Sequence, residues 1–353
     1  MVPSQERLAA AAAALVLVTS VFAAPAHAQA HAASSSGYHV ARQYTLGGEG
    51  GWDYLAFDSQ GKRLFITRSD RVTVVDPATG TVVGEIPGLK RGHGVAVAYP
   101  TGHGFVTSGA DSTVTMFDLK TLAPIKRIHA AVDDDAVLYD PASKRVFTFN
   151  GDAESATAID PVNGTKIRDI PLGGKPEFGV TDGEGRLFVN IADKGEIAQL
   201  DSRKLTVVKR WSIAPCEDPS GLAFDGKHER LFSVCGNKVM AVSDAHAGKL
   251  VTTVPIGSGV DAAGFDAGTG DVFASNGDGT LTVIHEDAPD RYHVVETVPT
   301  MTGARTMTLD PTTHRVYTAS AKFGAAPAAT TAENPRRRPP MIPGSFTLLV
   351  LQR

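Results

Sequence analysis

One repeat position along the chain carries Asp53, His93, Asp135, Glu177, Ser220, Asp261 and Arg305, separated by 40, 42, 42, 43, 41 and 44 residues. Each stands two places before a three-residue core such as Leu55-Ala56-Phe57, and none is apolar. Carboxylates, an imidazole, a hydroxyl and a guanidinium are the groups that bind polar ligands, exchange protons or hold a divalent cation. Local catalytic signatures are absent: there is no G-x-S-x-G, H-E-x-x-H, C-x-x-C or P-loop. Gly257–Ala262 fits G-x-G-x-x-A but leads into a short strand, so it carries no nucleotide signal. Asp133–Asp135 lacks the spaced ligands and glycine of a calcium loop. Any site must therefore be assembled from distant pieces of chain.

The pieces are supplied by an internal repeat. An aromatic recurs as Phe65, Phe105, Phe147, Phe188, Phe232, Phe273 and Tyr317, at spacings of 40, 42, 41, 44, 41 and 44. Around it, short β-branched and aromatic runs alternate with Gly, Asp, Asn and Pro turns, the pattern of strands with tight connections. Four strands in about 42 residues make one blade of a β-propeller. The expected fold is all-β: seven four-stranded blades in one domain, 38–353. The last unit ends one strand short, and 38–48 resembles the fourth strand of unit six, sharing its Tyr-His-Val opening. The N-terminal strand is therefore expected to complete the last blade. Trp52-Asp53 is read as lying ahead of the first strand, which separates it from the WD40 signature.

The runs "RLFVN", "TVVDPATGTVVGEIPG" and "IDPVNGTKIRDIPLGGKPE" resemble the YVTN-type repeat proteins, in particular the YncE-like secreted seven-bladed propellers. The resemblance spans the chain beyond its N-terminal segment. It implies the fold and leaves the biochemical role open.

In a propeller the loops that lead into each first strand converge on one mouth of the central channel. The repeat position of Asp53, His93, Asp135, Glu177, Ser220, Asp261 and Arg305 then becomes a ring. Ligand-binding candidates are Asp53, His93, Asp135, Glu177, Glu217, Asp261 and Arg305, with Trp52, Asp134 and Asp218 as neighbours. Crowded carboxylates raise one another's pKa unless a cation intervenes. Arg305 neutralises one of them; a divalent metal, a cationic ligand or a proton relieves the rest. Metal candidates are Asp135, Glu177 and Asp261, and base candidates are His93 and Glu177. No other cofactor pattern is present. The structural alternative is turn chemistry, because Asp and Ser bond nearby backbone, with Arg305 in a salt bridge to Asp261 or Asp53.

Two functions follow. One is binding of a small molecule or an extracytoplasmic protein at the mouth. The other is a metal-assisted hydrolase or lyase using the same groups, by analogy with gluconolactonase-like and streptogramin-lyase-like propellers. A redox role ranks last. With a net charge of −4, a basic nucleic-acid-binding surface is not expected. A Pro/Ala/Arg-rich insert at about 321–344, with Arg336, Arg337 and Arg338, reads as a basic lid or as a loose loop.

Residues 1–28 read as a signal peptide, with Arg7, an apolar run at 8–24 and Ala26-His27-Ala28 before the cut. Residues 29–37 read as a flexible segment, and no later stretch is apolar and long enough to span a membrane. The periplasm or the exterior is the expected location. There the only two cysteines, Cys216 and Cys235, are expected to form a disulfide. Mass spectrometry of the exported protein should give a chain beginning at Gln29; a chain that retains 1–28 overturns this reading.

Overall fold

The computed structural model describes residues 1, 37–325 and 339–353. Residues 2–28, read above as a signal peptide, residues 29–36, and 326–338 with Arg336, Arg337 and Arg338 lie outside the described residues. The chain divides into Met1–Ala33 and a compact unit, Ser34–Arg353, and the second holds the propeller.

Seven four-stranded antiparallel sheets form the propeller. The first six blades occupy 52–87, 92–129, 134–171, 176–212, 219–255 and 260–299. The seventh is built from both ends of the chain: Met307–Asp310, Arg315–Ser320 and Thr347–Gln352, with His39–Thr45 as its outer strand. That strand pairs with Thr347–Gln352 from His39 opposite Gln352 to Thr45 opposite Thr347. No helix among the described residues is long and apolar enough to cross a membrane.

The repeat has a packing cause. Second and third strands, such as Arg63–Arg68 and Arg71–Asp76, are buried along nearly their whole length, because blades press on both faces of each sheet. Their runs are therefore continuously apolar or β-branched instead of alternating. Outer strands such as Thr81–Pro87 are mostly exposed, with one buried anchor, Ile86. All seven repeat aromatics are essentially inaccessible. Several pack on a neighbouring blade's ring, edge to face as in Phe65–Phe117 at 5.8 Å or stacked as in Phe232–Phe265 at 5.4 Å between centroids.

In most blades the residue that opens the second strand ties that blade to the next. Arg63 donates to Leu119 O and His103 Nδ1 to Pro161 O (2.8 Å). Arg145 Nη1 donates to Ser202 O (2.9 Å) and Arg230 Nε to Pro289 O (2.9 Å). At the preceding turn an aspartate accepts backbone N–H groups, as Asp58 does from Gly61 and Asp182 from Glu184. Cys216, ahead of blade five, is joined to Cys235 at the end of that blade's second strand.

One reading needs correction. Trp52 and Asp53 are not ahead of the first strand but open it, as part of Trp52–Asp58. The strand begins earlier than its apolar run because it carries a bulge at this point.

Removing 38–46 should expose the hydrogen-bonding edge of Thr347–Gln352, and such edges self-associate. Size-exclusion chromatography should show oligomers or aggregate. A permutant with 38–46 appended after Arg353 should return to the wild-type elution volume; a truncated protein that is monomeric and equally stable overturns the role of the strand.

Candidate functional site

Bulges aim the ring. In blade one Trp52 pairs with Arg68 and Leu55 with Ile66, so Asp53 and Tyr54 together oppose Thr67. The same irregularity falls at His93, Asp135, Glu177, Ser220 and Asp261. An extra residue bends the strand and re-aims a side chain. Hydroxyls on the second strand satisfy the disturbed backbone: Thr67 Oγ1 donates to Tyr54 O (3.1 Å) and Gly94 N donates to Thr107 Oγ1 (2.9 Å). In blade seven Arg305 lies just ahead of the strand, its carbonyl held by Ser275. All seven ring residues are half-buried.

Five of the seven are linked by direct contacts, and Glu177 is paired with a neighbouring lysine. His93 Nδ1 lies 2.5 Å from Asp53 Oδ2 and 3.2 Å from Asp135 Oδ1. Arg91 Nε donates to His93 Nε2 at 3.0 Å, which places the proton of a neutral imidazole on Nδ1. Arg91 is also paired with Asp133. Arg305 Nε contacts Asp261 Oδ2 at 2.7 Å, and its Nη2 is 3.7 Å from Asp53 Oδ1 across the ring closure. Lys175 Nζ sits 3.5 Å from Glu177 Oε1. Ser220 stands apart from these ion pairs; its Oγ donates to Val260 O at 3.4 Å. Glu217 and Asp218 are exposed on the rim, outside the ring.

Of the three metal candidates, Glu177 and Asp261 therefore each have a cation of their own. The group whose ligand atoms converge within 4.8 Å is Asp53, His93 and Asp135. Asp135 Oδ1 is buried and has no hydrogen-bond donor aimed at it, because the imidazole N–H points at Asp53. A second convergent group, Asp225, His228 and Glu286, belongs to the opposite end of the blades.

Crowding shows in the proton affinities. Burial pushes Asp135 well above the carboxylate range, and the charges of Asp53, Glu177 and Asp261 add to it against the opposing pull of His93. Asp261 is pushed up to about 6, by burial first, with Arg305 opposing. Burial also raises Glu177, against Lys175. For His93 burial works downwards, but the Asp53 hydrogen bond and the charges of Asp135 and Asp53 outweigh it, and the imidazole is raised.

Tyr54 and Asp134 complete the site and were not among the principal ring candidates. Tyr54 packs on Phe178 of blade four, with ring centroids 5.3 Å apart. Its phenol is held far above its ordinary pKa by burial and by the charges of Asp135, Asp261, Asp53 and Glu177. A signal existed: the residue after the ring position is Tyr54, Gly94, Ala136, Phe178, Gly221, Ala262 and Thr306, small except for two aromatics three blades apart. Asp134 is fully buried; Oδ2 accepts from Ser108 N at 3.3 Å, and Oδ1 has no partner. Burial raises it to about 7.

No protein-family model matches the chain, and no curated protein matches it. Among solved structures it is similar to Kuenenia stuttgartiensis hydrazine synthase, with a TM-score of 0.67 and 16% identity over 75% of this chain and 91% of that one. At that identity the likeness shows the propeller fold alone.

Asp134 sets a sign for pH. A carboxyl with a folded pKa of about 7 and an unfolded value of 3.8 binds more protons in the native state between those limits. Stability from this group is then full below pH 4 and falls as pH rises through 7. Asp134→Asn, neutral throughout, should stabilise the chelator-treated protein at pH 8 by roughly 2–4 kcal/mol and much less at pH 5, by urea denaturation. A uniform effect at both pH values overturns the assignment.

Proposed function

We propose that this chain is an exported, YncE-like propeller that binds a small molecule or an extracytoplasmic protein at the acidic mouth of its channel. Its motifs support the family, and the N-terminal segment supports a periplasmic or secreted location. The observation that carries the binding role is the pair Asp53 and Asp135. Glu177 and Asp261 have Lys175 and Arg305 at 3.5 and 2.7 Å, whereas Asp53 and Asp135 share His93, and Arg305 comes only to 3.7 Å from Asp53. Turn chemistry does not require carboxylates to gather around one imidazole beside a buried tyrosine. Concave sites with a few convergent polar groups are where ligands bind.

The Asp53–His93–Asp135 geometry also favours a second reading, metal-assisted hydrolysis or elimination. Carboxylate and imidazole donors fit Mg, Mn, Ca or Zn, and the unpartnered Asp135 Oδ1 fits a cation. A bound divalent ion would supply Lewis-acid polarisation of a carbonyl. The chain's own part would then be proton transfer by Glu177, or by His93 where it is not a ligand, with Tyr54 as a hydrogen-bond donor beneath the substrate.

Native mass spectrometry of the mature protein from its producing cells should show a bound mass. The double variant Asp53→Asn, Asp135→Asn should lose it, and Asp287→Asn, on the opposite end, should keep it. A bound mass indifferent to the double variant, or none at all, overturns the mouth as the binding site. Equilibrium dialysis against Mn²⁺ and Zn²⁺ decides the second reading: saturable uptake lost in His93→Ala supports it, and no uptake by the wild type ends it.

A further inference from the structure

A hollow of about 700 Å³ opens beside the ring, over blades six, seven and one. Trp52, Phe323, Pro339 and Met341 line its apolar wall, and Arg305 connects it to the ring. The repeat explains the space. Two places before each ring residue stand Gly51, Arg91, Asp133, Lys175, Asp218, Gly259 and Gly303. Blades two to five carry side chains there, and blades six, seven and one carry none.

The walls are preformed. Buried Arg68 donates to Gly51 O (3.0 Å), Glu49 O (2.9 Å) and Gly50 O (2.8 Å), fixing the loop before Trp52. Its guanidinium lies 3.9 Å from the centre of the Phe346 ring, and Phe346 packs on Trp52 at 5.3 Å. Phe323 pairs with Met341 in an antiparallel bridge, flanked by Gly324 N to Pro340 O (2.9 Å) and Ile342 N to Lys322 O (2.8 Å).

Charge selects the ligand. Asp278 on the rim accepts from Ser258 and Thr280, and among the described residues no cation pairs with it. Arg305 already faces Asp261 and Asp53. Among the described residues three carboxylates stand against one guanidinium at the hollow and its inner edge, and an anionic ligand would have to displace a carboxylate from Arg305. Trp52 offers an aromatic face on which a cation or a flat ring gains further attraction.

We propose that the hollow receives the apolar body of a small organic monocation of the arylalkylammonium class, with its ammonium group turned to Asp278 on the rim and to the ring carboxylates beyond Arg305. This rests on the mouth being the binding site and names the ligand class that it takes.

Phenethylammonium is the probe, measured by calorimetry and by tryptophan fluorescence. Trp52 and Trp211 are the only tryptophans, and Trp211 is buried in blade four, so Trp211→Phe isolates Trp52. Phenethylammonium should bind at least tenfold more tightly than 3-phenylpropanoate and than methylammonium, with a change in Trp52 emission. Gly51 has an ordinary backbone conformation, and a Cβ there would meet Ser69 Oγ only at 3.5 Å. Gly51→Leu should fill the hollow, weakening phenethylammonium tenfold or more and sparing methylammonium; Phe323→Ala should weaken it by an independent route. Equal binding of 3-phenylpropanoate overturns the charge assignment. Phenethylammonium no tighter than methylammonium, or indifferent to both variants, overturns the hollow while the native-mass comparison still decides the mouth. No binding of either cation overturns the inference.

Discussion

Closure of the ring is the constraint on which the molecule depends. Each sheet buries both faces of its middle strands against neighbours, so no blade can lose a partner without exposing two apolar surfaces. Pairing of His39–Thr45 with Thr347–Gln352 joins the ends of the chain and leaves no blade unpartnered. The same closure sets the chemistry, because Thr306 Oγ1 of blade seven donates to Asp53 O of blade one at 2.9 Å. Arg305 reaches Asp53 across that seam. A ring that failed to close would lose its fold and its most crowded charges together.

The bulges convert this scaffold into a site. A regular strand alternates its side chains between the two faces of a sheet, which would send a ring residue toward a neighbouring blade. One extra residue at the channel end breaks the alternation and gives Asp53, His93, Asp135 and Glu177 a common direction. The repeat hydroxyls Thr67 and Thr107 are then backbone partners for the bulge, and their place after the aromatic reflects this duty.

Much of this was legible in the chain. The aromatic period gave the blade count, the missing fourth strand of unit seven gave the N-terminal latch, and alignment on the apolar cores gave the ring position. What could not be read was partnership within the ring. Whether Asp135 leans on His93 or on Glu177 depends on side-chain rotamers across a channel, and nothing local encodes them. Arg91 reaches His93 from a left-handed backbone position, φ 58°, that a residue other than glycine rarely takes. The start of Trp52–Asp58 was misplaced for a related reason: the bulge interrupts the apolar run that marks a strand.

Departures from sevenfold likeness hold the remaining information. A propeller needs the aromatic, the turn aspartate and the blade-to-blade tie, and most units keep them. It does not need Tyr54 and Phe178 where five blades place small residues or threonine, or glycine on one side of the mouth and charge on the other. Burying carboxylates that push one another upward costs stability, as the raised Asp135, Asp261 and Glu177 show. Folding alone gives no reason to accept that cost at one end of the channel. A ligand that brings positive charge to the mouth and apolar surface to the glycine-lined side would offset it, and the two asymmetries would then have one cause.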